Sequence, residues 1–145
     1  MNWIGIFSGM DALRLWDGEL VFWTAKIRNR VGRAAEKKAL SFLRGKGLRL
    51  VRENYACRLG ELDLVMSDKN VLVFVEVRHR TKHHAGSAEE SVDNRKQRRL
   101  RLAAEHYMQT FGITDTMPCR FDIIAVCPEA GGGMVIRWTE NAFGA

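Results

Sequence analysis

The sequence lacks the features that would place it in a membrane or in the secretory pathway. No stretch reaches the ~20 consecutive apolar residues that a membrane-spanning helix needs, because charged side chains interrupt every apolar run. The N-terminus has no basic start followed by an apolar middle and a small-residue cleavage site, the pattern of a secretory signal. We therefore expect a cytoplasmic protein without a transmembrane segment.

Cysteine is also scarce, and its spacing excludes the common metal-binding motifs. The three cysteines, Cys57, Cys119 and Cys127, form no CxxC pair, and no paired histidines stand at zinc-finger distance. We interpret them as reduced thiols that pack in the interior of a cytosolic protein. There are also no internal repeats and no linker after Gly32, so that part of the chain is expected to be one domain.

The composition is that of a basic globular protein. The chain has 145 residues, of which 46% are hydrophobic and 28% are charged, which suits a single domain with its own core. The net charge is +6 and the isoelectric point is about 9.6. A basic balance favours a polyanionic partner such as nucleic acid.

Residues 1–31 form a candidate N-terminal extension to a main domain of residues 32–145. Apolar residues recur there every three or four positions, as on one stripe of an amphipathic helix. This helix would pack on its own domain, on a second subunit, or on another protein or a membrane surface, and the pattern leaves these alternatives open. The stripe consists of Ile6, Met10, Leu13, Trp16, Leu20, Trp23, Ile27 and Val31.

The main domain alternates helical and strand patterns. Apolar periodicity predicts helices over residues 32–45 and from Ser91, as the N-cap, to Phe111. β-branched runs bounded by turn residues predict strands over residues 48–55, 61–66, 71–78, 120–127 and 134–139. The order is helix, three strands, helix and two strands, which indicates an α/β fold with a mixed sheet flanked by helices.

Three acids occupy positions where the pattern calls for apolar residues. Glu36 lies on the apolar stripe of the first helix, and Asp63 and Glu76 interrupt apolar strands. Buried carboxylates need a partner, and three of them in a small basic domain suggest a shared hard cation, Mg²⁺ or Mn²⁺. The alternative is a set of structural ion pairs with nearby arginines. For Asp122, which shares a strand face with Arg120, we favour such an ion pair.

These motifs resemble those of the PD-(D/E)XK nuclease superfamily. The match rests on Gly60-Glu61-Leu62-Asp63-Leu64 and Phe74-Val75-Glu76-Val77-Arg78 after a helix that carries an acid. More narrowly, the chain looks like the bacterial YraN family, which is similar to Holliday-junction resolvases. The resemblance implies a restriction-endonuclease-like core with Asp63 and Glu76 as magnesium ligands.

The same resemblance assigns three further residues to the site. Glu36 would be a supporting acid, and Gln97 occupies a helix position that contributes to the site in resolvase-like members. Arg78 takes the place of the superfamily lysine. An arginine stays protonated and cannot act as a base, but it can hold a phosphate oxygen.

We therefore predict a magnesium-dependent nuclease that acts on DNA, with branched or structured DNA as the favoured substrate. Basic residues flank the acids and are expected to contact phosphates, although a run of charge is often only a solvated face. The alternative function is a nucleic-acid-binding module that has lost turnover, and a homodimer is expected by analogy with resolvases. The predicted phosphate contacts are Arg58, Arg80, Lys82, Arg95, Lys96, Arg98 and Arg99.

Overall fold

The computed structural model describes residues 30–80 and 92–144, which form two helices and five strands. The helix predicted over residues 1–31 lies outside the described residues, apart from residues 30 and 31, which begin the first helix. None of the described helices is long and apolar enough to cross a membrane. The elements are α1 (Arg30–Gly45), β1 (Arg49–Cys57), β2 (Gly60–Asp68), β3 (Val71–His79), α2 (Asn94–Thr110), β4 (Cys119–Pro128) and β5 (Met134–Phe143).

The five strands form one mixed sheet in the order β1-β2-β3-β4-β5. Neighbouring strands are antiparallel except for β3 and β4, which are parallel. Parallel strands need a long connection, because the chain must return to the starting edge, and α2 makes that crossover here. The mixed sheet with flanking helices confirms the predicted fold class and is consistent with a restriction-endonuclease-like core.

The sheet carries a core layer on each face. On one face, Val73 and Val75 of β3 pack with the buried side of α1, including Ala39. On the other face, Leu72 and Phe74 pack with α2. A strand that is buried on both faces is an almost continuous apolar run. The sequence of residues 71–75 therefore predicted a buried strand at this position.

The start of α2 differs from the prediction. Its N-cap is Asp93 rather than Ser91, and the Asp93 carboxylate accepts a hydrogen bond from the backbone N–H of Lys96 at 2.7 Å. Serine and aspartate are both good N-caps, so composition did not separate the two candidates. The difference shifts the beginning of the helix but leaves its apolar face unchanged.

The buried carboxylate of Asp122 connects β4 with β5 at one side of the sheet. Asp122 on β4 accepts hydrogen bonds from Arg120 Nε at 3.0 Å, Trp138 Nε1 at 3.0 Å and the backbone N–H of Asn141 at 2.9 Å. Asn141 has a left-handed φ of 48°, and β5 continues past it to Phe143 instead of ending at residue 139. The predicted ion pair of Arg120 and Asp122 is confirmed.

We predict that Asp122→Ala lowers the free energy of unfolding by about 3–5 kcal/mol, because it leaves Arg120 and Trp138 without their buried acceptor. The control is Asp68→Ala, which removes an acid that also binds Arg120 at 3.0 Å but is 31% exposed. That change should cost less than about 1 kcal/mol. Urea unfolding followed by circular dichroism measures both values, and equal losses in the two variants would contradict the assignment.

Candidate functional site

Regular pairing between β2 and β3 stops at a pair of acids. The last paired residues at this end are Leu64 and Val75, and the same register places Asp63 opposite Glu76. Instead of continuing the backbone ladder, Asp63 uses its side chain, and its Oδ2 accepts a hydrogen bond from the backbone N–H of Val77 at 2.8 Å. The two strands therefore separate where the carboxylates stand.

The neighbouring strand β1 is distorted at the same level. Asn54 has a left-handed φ of 54°, a conformation that is uncommon for residues other than glycine and that asparagine tolerates better than most. In the described β1–β2 register, the residues on both sides of Asn54 and Asp63 are paired, but these two are not. Local departures from regular backbone are often found at functional sites, and this one centres on Asp63.

Glu76 is a buried acid in an electrostatically demanding position. It is 8% exposed and lies on the α2 side of the sheet, where Lys96 Nζ is 3.1 Å from its Oε1. Burial and, next, the negative charge of Asp63 raise the pKa of Glu76, whereas Lys96 and Arg78 lower it, and the net result is a pKa of about 7. The acid pair of Asp63 and Glu76 thus concentrates negative charge where water cannot screen it well.

The acid pair has the chemistry of a site for a hard divalent cation. Carboxylate oxygens are the protein ligands that Mg²⁺ prefers, and one or two carboxylates are its usual number when water and phosphate complete its shell. A bound dication would also oppose the repulsion that raises the pKa of Glu76. The two side chains therefore fit a divalent metal on the evidence of their oxygens, their burial and their mutual repulsion.

The third predicted acid does not form a three-residue metal-binding group with this pair in the described part of the chain. Glu36 is half-buried on α1, and α1 packs on the face of the sheet opposite to α2. Within residues 30–80 and 92–144, no three His, Cys, Asp or Glu side chains come together as a metal-binding group. The supporting role of Glu36 stays a prediction.

Arg78 and Gln97, the other two residues predicted to act in catalysis, have different surroundings. Arg78 is half-buried two residues beyond Glu76 on β3, and its charge lowers the pKa of that acid. Gln97 braces the start of α2, because its Nε2 donates to the carbonyl of Val92 at 3.0 Å and its Oε1 accepts from Arg101 at 3.4 Å. Catalytic roles for both residues stay predictions.

Most of the predicted phosphate contacts lie on α2 or in the turn that packs against it. Arg95, Arg98 and Arg99 are exposed on the helix, and Arg58 is exposed in the β1–β2 turn. Arg80 is half-buried after β3, and Lys82 lies outside the described residues. We call the three exposed arginines of the helix, Arg95, Arg98 and Arg99, the α2 basic surface.

A glycine brings the β1–β2 turn close to this surface. Gly60 is buried at the start of β2, and a Cβ atom there would lie 2.8 Å from the carbonyl oxygen of Arg99. Only a residue without a side chain permits such a close approach. Gly60 therefore allows the strand that carries Asp63 to pack directly against the helix that carries Lys96.

Lys96 was not predicted from the sequence as the partner of Glu76. We predicted Lys96 as a phosphate contact and arginines as the counter-charges for the acids. Helical spacing did predict that Lys96 and Gln97 lie on the inward face of α2, but it did not connect Lys96 with Glu76. The structure agrees with that spacing, since Lys96 is half-buried and its neighbour Arg95 is exposed.

We predict that Glu76→Gln stabilises the protein at pH 8 and has little effect near pH 5. Because the folded-state pKa of about 7 lies above the ordinary value of 4.5 for a glutamate, the native state binds more protons than the unfolded state between these values. Stability must then fall as pH rises through this window. Urea unfolding at pH 5, 6, 7 and 8 measures the free energy of unfolding. Between pH 5 and pH 8, the value for the variant relative to wild type should rise by about 1–3 kcal/mol.

A matched control is Glu105→Gln, which alters an exposed carboxylate of α2. Its stability relative to wild type should stay constant over the same pH range. If wild type and Glu76→Gln instead kept a constant difference from pH 5 to pH 8, the raised pKa of Glu76 would be wrong.

Comparison with known proteins places this arrangement in a family. The family model described as "Uncharacterised protein family UPF0102" matches residues 35–126, a segment that contains both acids and Lys96. A UPF0102 protein of Nitrosococcus oceani is 46% identical over 112 residues, covering 77% of this chain and 90% of its own.

Two further relatives give the same picture. A UPF0102 protein of Pseudomonas entomophila is 48% identical and covers 77% of this chain and 91% of its own. One from Pseudomonas syringae pv. syringae is 47% identical and covers 80% and 94%. The predicted resemblance to the YraN-type family is confirmed, and the chain belongs to the UPF0102 family.

Proposed function

We propose that this protein is a magnesium-dependent nuclease that hydrolyses phosphodiester bonds in DNA. The observation that carries the proposal is the acid pair of half-buried Asp63 and buried Glu76 at the interruption of the sheet, with Lys96 3.1 Å from Glu76. Two carboxylates and two cationic side chains are what a site needs to hold both a divalent metal and a phosphate. The family resemblance favours branched or structured DNA as the substrate.

Asp63 and Glu76 would hold the metal. When bound, such an ion activates water for attack and neutralises charge that develops on the phosphate. Asp63 is held in place by its hydrogen bond from Val77 N–H, so its side chain is oriented before any ligand arrives. Glu76 is held by burial and by Lys96.

Arg78 would hold the phosphate at the cleavage point. It lies two residues past Glu76 on the same side of β3, about 7 Å along the strand. A guanidinium stays protonated and donates two parallel hydrogen bonds to phosphate oxygens. It therefore stabilises the negative charge of the transition state and does not remove a proton.

The α2 basic surface would position the rest of the DNA. Its three arginines project from the helix that supplies Lys96, and the β1–β2 turn with Arg58 is packed against the same helix through Gly60. Phosphate contacts of this kind set the position of a duplex without reading its sequence. This favours a substrate recognised by its shape.

We expect cleavage of labelled four-way junction or flap DNA in the presence of Mg²⁺ or Mn²⁺, and its loss in Asp63→Asn and Glu76→Gln. Removing either metal-holding carboxylate should lower the rate at least about 100-fold. Arg78→Met should also lose activity, whereas Arg78→Lys should keep part of it because a cation remains. Denaturing gels with junction, flap, single-stranded and linear substrates measure these rates.

The control for this experiment is Glu105→Gln, an exposed acid of α2, which should cleave as wild type does. Cleavage that persists in Glu76→Gln would show that the activity comes from elsewhere in the chain or from a contaminant. Absence of cleavage by wild type on every substrate would favour the second candidate function.

The second candidate is a nucleic-acid-binding module without turnover. The observation that favours it is the arginine at position 78, because no lysine stands there to assist proton transfer. Such a module would bind DNA through the α2 basic surface, and its affinity would not depend on a divalent metal.

Both functions share one expectation for DNA binding. Because each phosphate contact releases counterions, Arg98→Ala should weaken binding and reduce the slope of log affinity against log salt by about one. Fluorescence anisotropy with EDTA present measures this slope. Arg137→Ala, which removes an exposed arginine from β5, should leave it unchanged, and equal effects in the two variants would mean that binding is not localised to α2.

A further inference from the structure

Lys96 occupies an unusual place for a residue on a nucleic-acid-binding surface. Its ammonium is 3.1 Å from Glu76 Oε1, and its side chain is 41% exposed while that of Glu76 is 10% exposed. The exposed neighbours on α2 point away from the sheet. The side chain of Lys96 is therefore partly in solvent, while its ammonium group contacts Glu76.

The base of Lys96 is fixed while its tip is not. Its backbone N–H donates to the N-cap carboxylate of Asp93 at 2.7 Å, so the first turn of α2 sets where the side chain begins. The four-carbon side chain of a lysine can place its ammonium in several positions from one backbone position. With 41% of its side chain exposed, Lys96 contacts solvent as well as Glu76.

Above the pKa of Glu76, the charges at the site balance when nothing else is bound. Asp63 and the ionised Glu76 then contribute two negative charges, and Lys96 and Arg78 contribute two positive charges close enough to affect Glu76. A divalent cation added to this arrangement would face an ammonium already on one of its carboxylates. Like charges at this separation in a poorly screened site repel strongly, so the ammonium and the metal compete for Glu76.

We propose that Lys96 is a displaceable counter-ion that holds the acid pair in the metal-free protein and moves to a substrate phosphate when a divalent cation takes Glu76. This inference rests on the proposed function and adds the order in which the metal and the ammonium group of Lys96 move. The metal binds against competition, and the ammonium that it releases remains within reach of the phosphate. Lys96 is in this sense a positioning residue that links the binding of metal to the binding of nucleic acid.

The energetic consequence is a coupling between the two ligands. Without nucleic acid, displacing Lys96 leaves its charge in solvent, which lowers the affinity for metal. With a phosphate beside the site, the displaced ammonium gains a new partner. Each ligand should then raise the affinity for the other by the same factor, as thermodynamic linkage requires.

The first test is metal binding by the protein without nucleic acid. Isothermal titration with Mn²⁺ at pH 8.5 compares wild type with Lys96→Met, Lys96→Arg and Lys37→Met. Lys96→Met removes the competing charge and should bind Mn²⁺ about tenfold more tightly, which corresponds to about 1.4 kcal/mol. Lys96→Arg keeps a cation and should bind no more tightly than wild type, and Lys37→Met removes an exposed lysine of α1 and should match wild type.

Thermal unfolding of the same proteins supplies a reading that does not depend on catalysis. Lys96→Met should melt at a lower temperature than wild type without metal, because Glu76 loses its partner. It should also gain more from saturating Mn²⁺ than wild type does. A side chain with only a structural role would lower both melting temperatures equally and would leave Mn²⁺ affinity unchanged.

Three outcomes separate this inference from the proposed function. Tighter Mn²⁺ binding by Lys96→Met alone supports displacement. Equal or weaker binding by Lys96→Met, with wild type still binding Mn²⁺, overturns displacement and leaves the metal site in place. Failure of wild type and Lys96→Met alike to bind Mn²⁺ overturns both.

The second test measures the coupling directly. DNA affinity is determined by anisotropy with EDTA and with Ca²⁺, another cation that prefers oxygen ligands. Wild type should bind DNA more tightly with Ca²⁺, and this gain should shrink by about fivefold or more in Lys96→Met, within the range usual for coupled sites. An undiminished gain in Lys96→Met would show that Lys96 does not connect the two ligands.

Discussion

The repulsion between Asp63 and Glu76 is the constraint on which the arrangement of this protein depends. Two carboxylates on adjacent strands in a poorly solvated position would destabilise a fold that gave them no counter-charge. The backbone N–H of Val77 and the ammonium of Lys96 each contact one of them. The sheet gives up regular pairing at this level, and the freed backbone N–H of Val77 becomes part of what stabilises the acids.

The topology supplies the counter-charge because β3 and β4 are parallel. A parallel pair requires a crossover, and here the crossover is α2, which covers the face of the sheet that carries Glu76. Gly60 allows β2 to approach the helix backbone more closely than a side chain would permit. The distance between the acid pair and the helix is thus set by strand direction, which no motif encodes, and by Gly60, which begins the nuclease-like motif.

The sequence predicted the elements well because their signals are local. The buried strand β3 is an unbroken apolar run, and the pairing of Arg120 with Asp122 follows from their two-residue spacing on one strand. Lys96 was harder to assign, because its contact with Glu76 joins residues 20 positions apart through tertiary packing. Whether Glu36 supports the acid pair likewise depends on where α1 packs on the sheet, which strand periodicity cannot decide.

The two cations of the site differ in a way that bears on how it would work. Arg78 is half-buried on a strand whose backbone is paired with β4, so its planar guanidinium is suited to a fixed phosphate position. Lys96 lies on a helix with its side chain partly in solvent, so its charge can follow whatever occupies Glu76. A site with only fixed cations would favour the binding of phosphate before metal. One movable cation balances the charge of the two acids when no metal is bound and still allows a divalent cation to bind. The arginine on the strand therefore does not by itself decide against catalysis, since the adaptable charge is supplied from the helix.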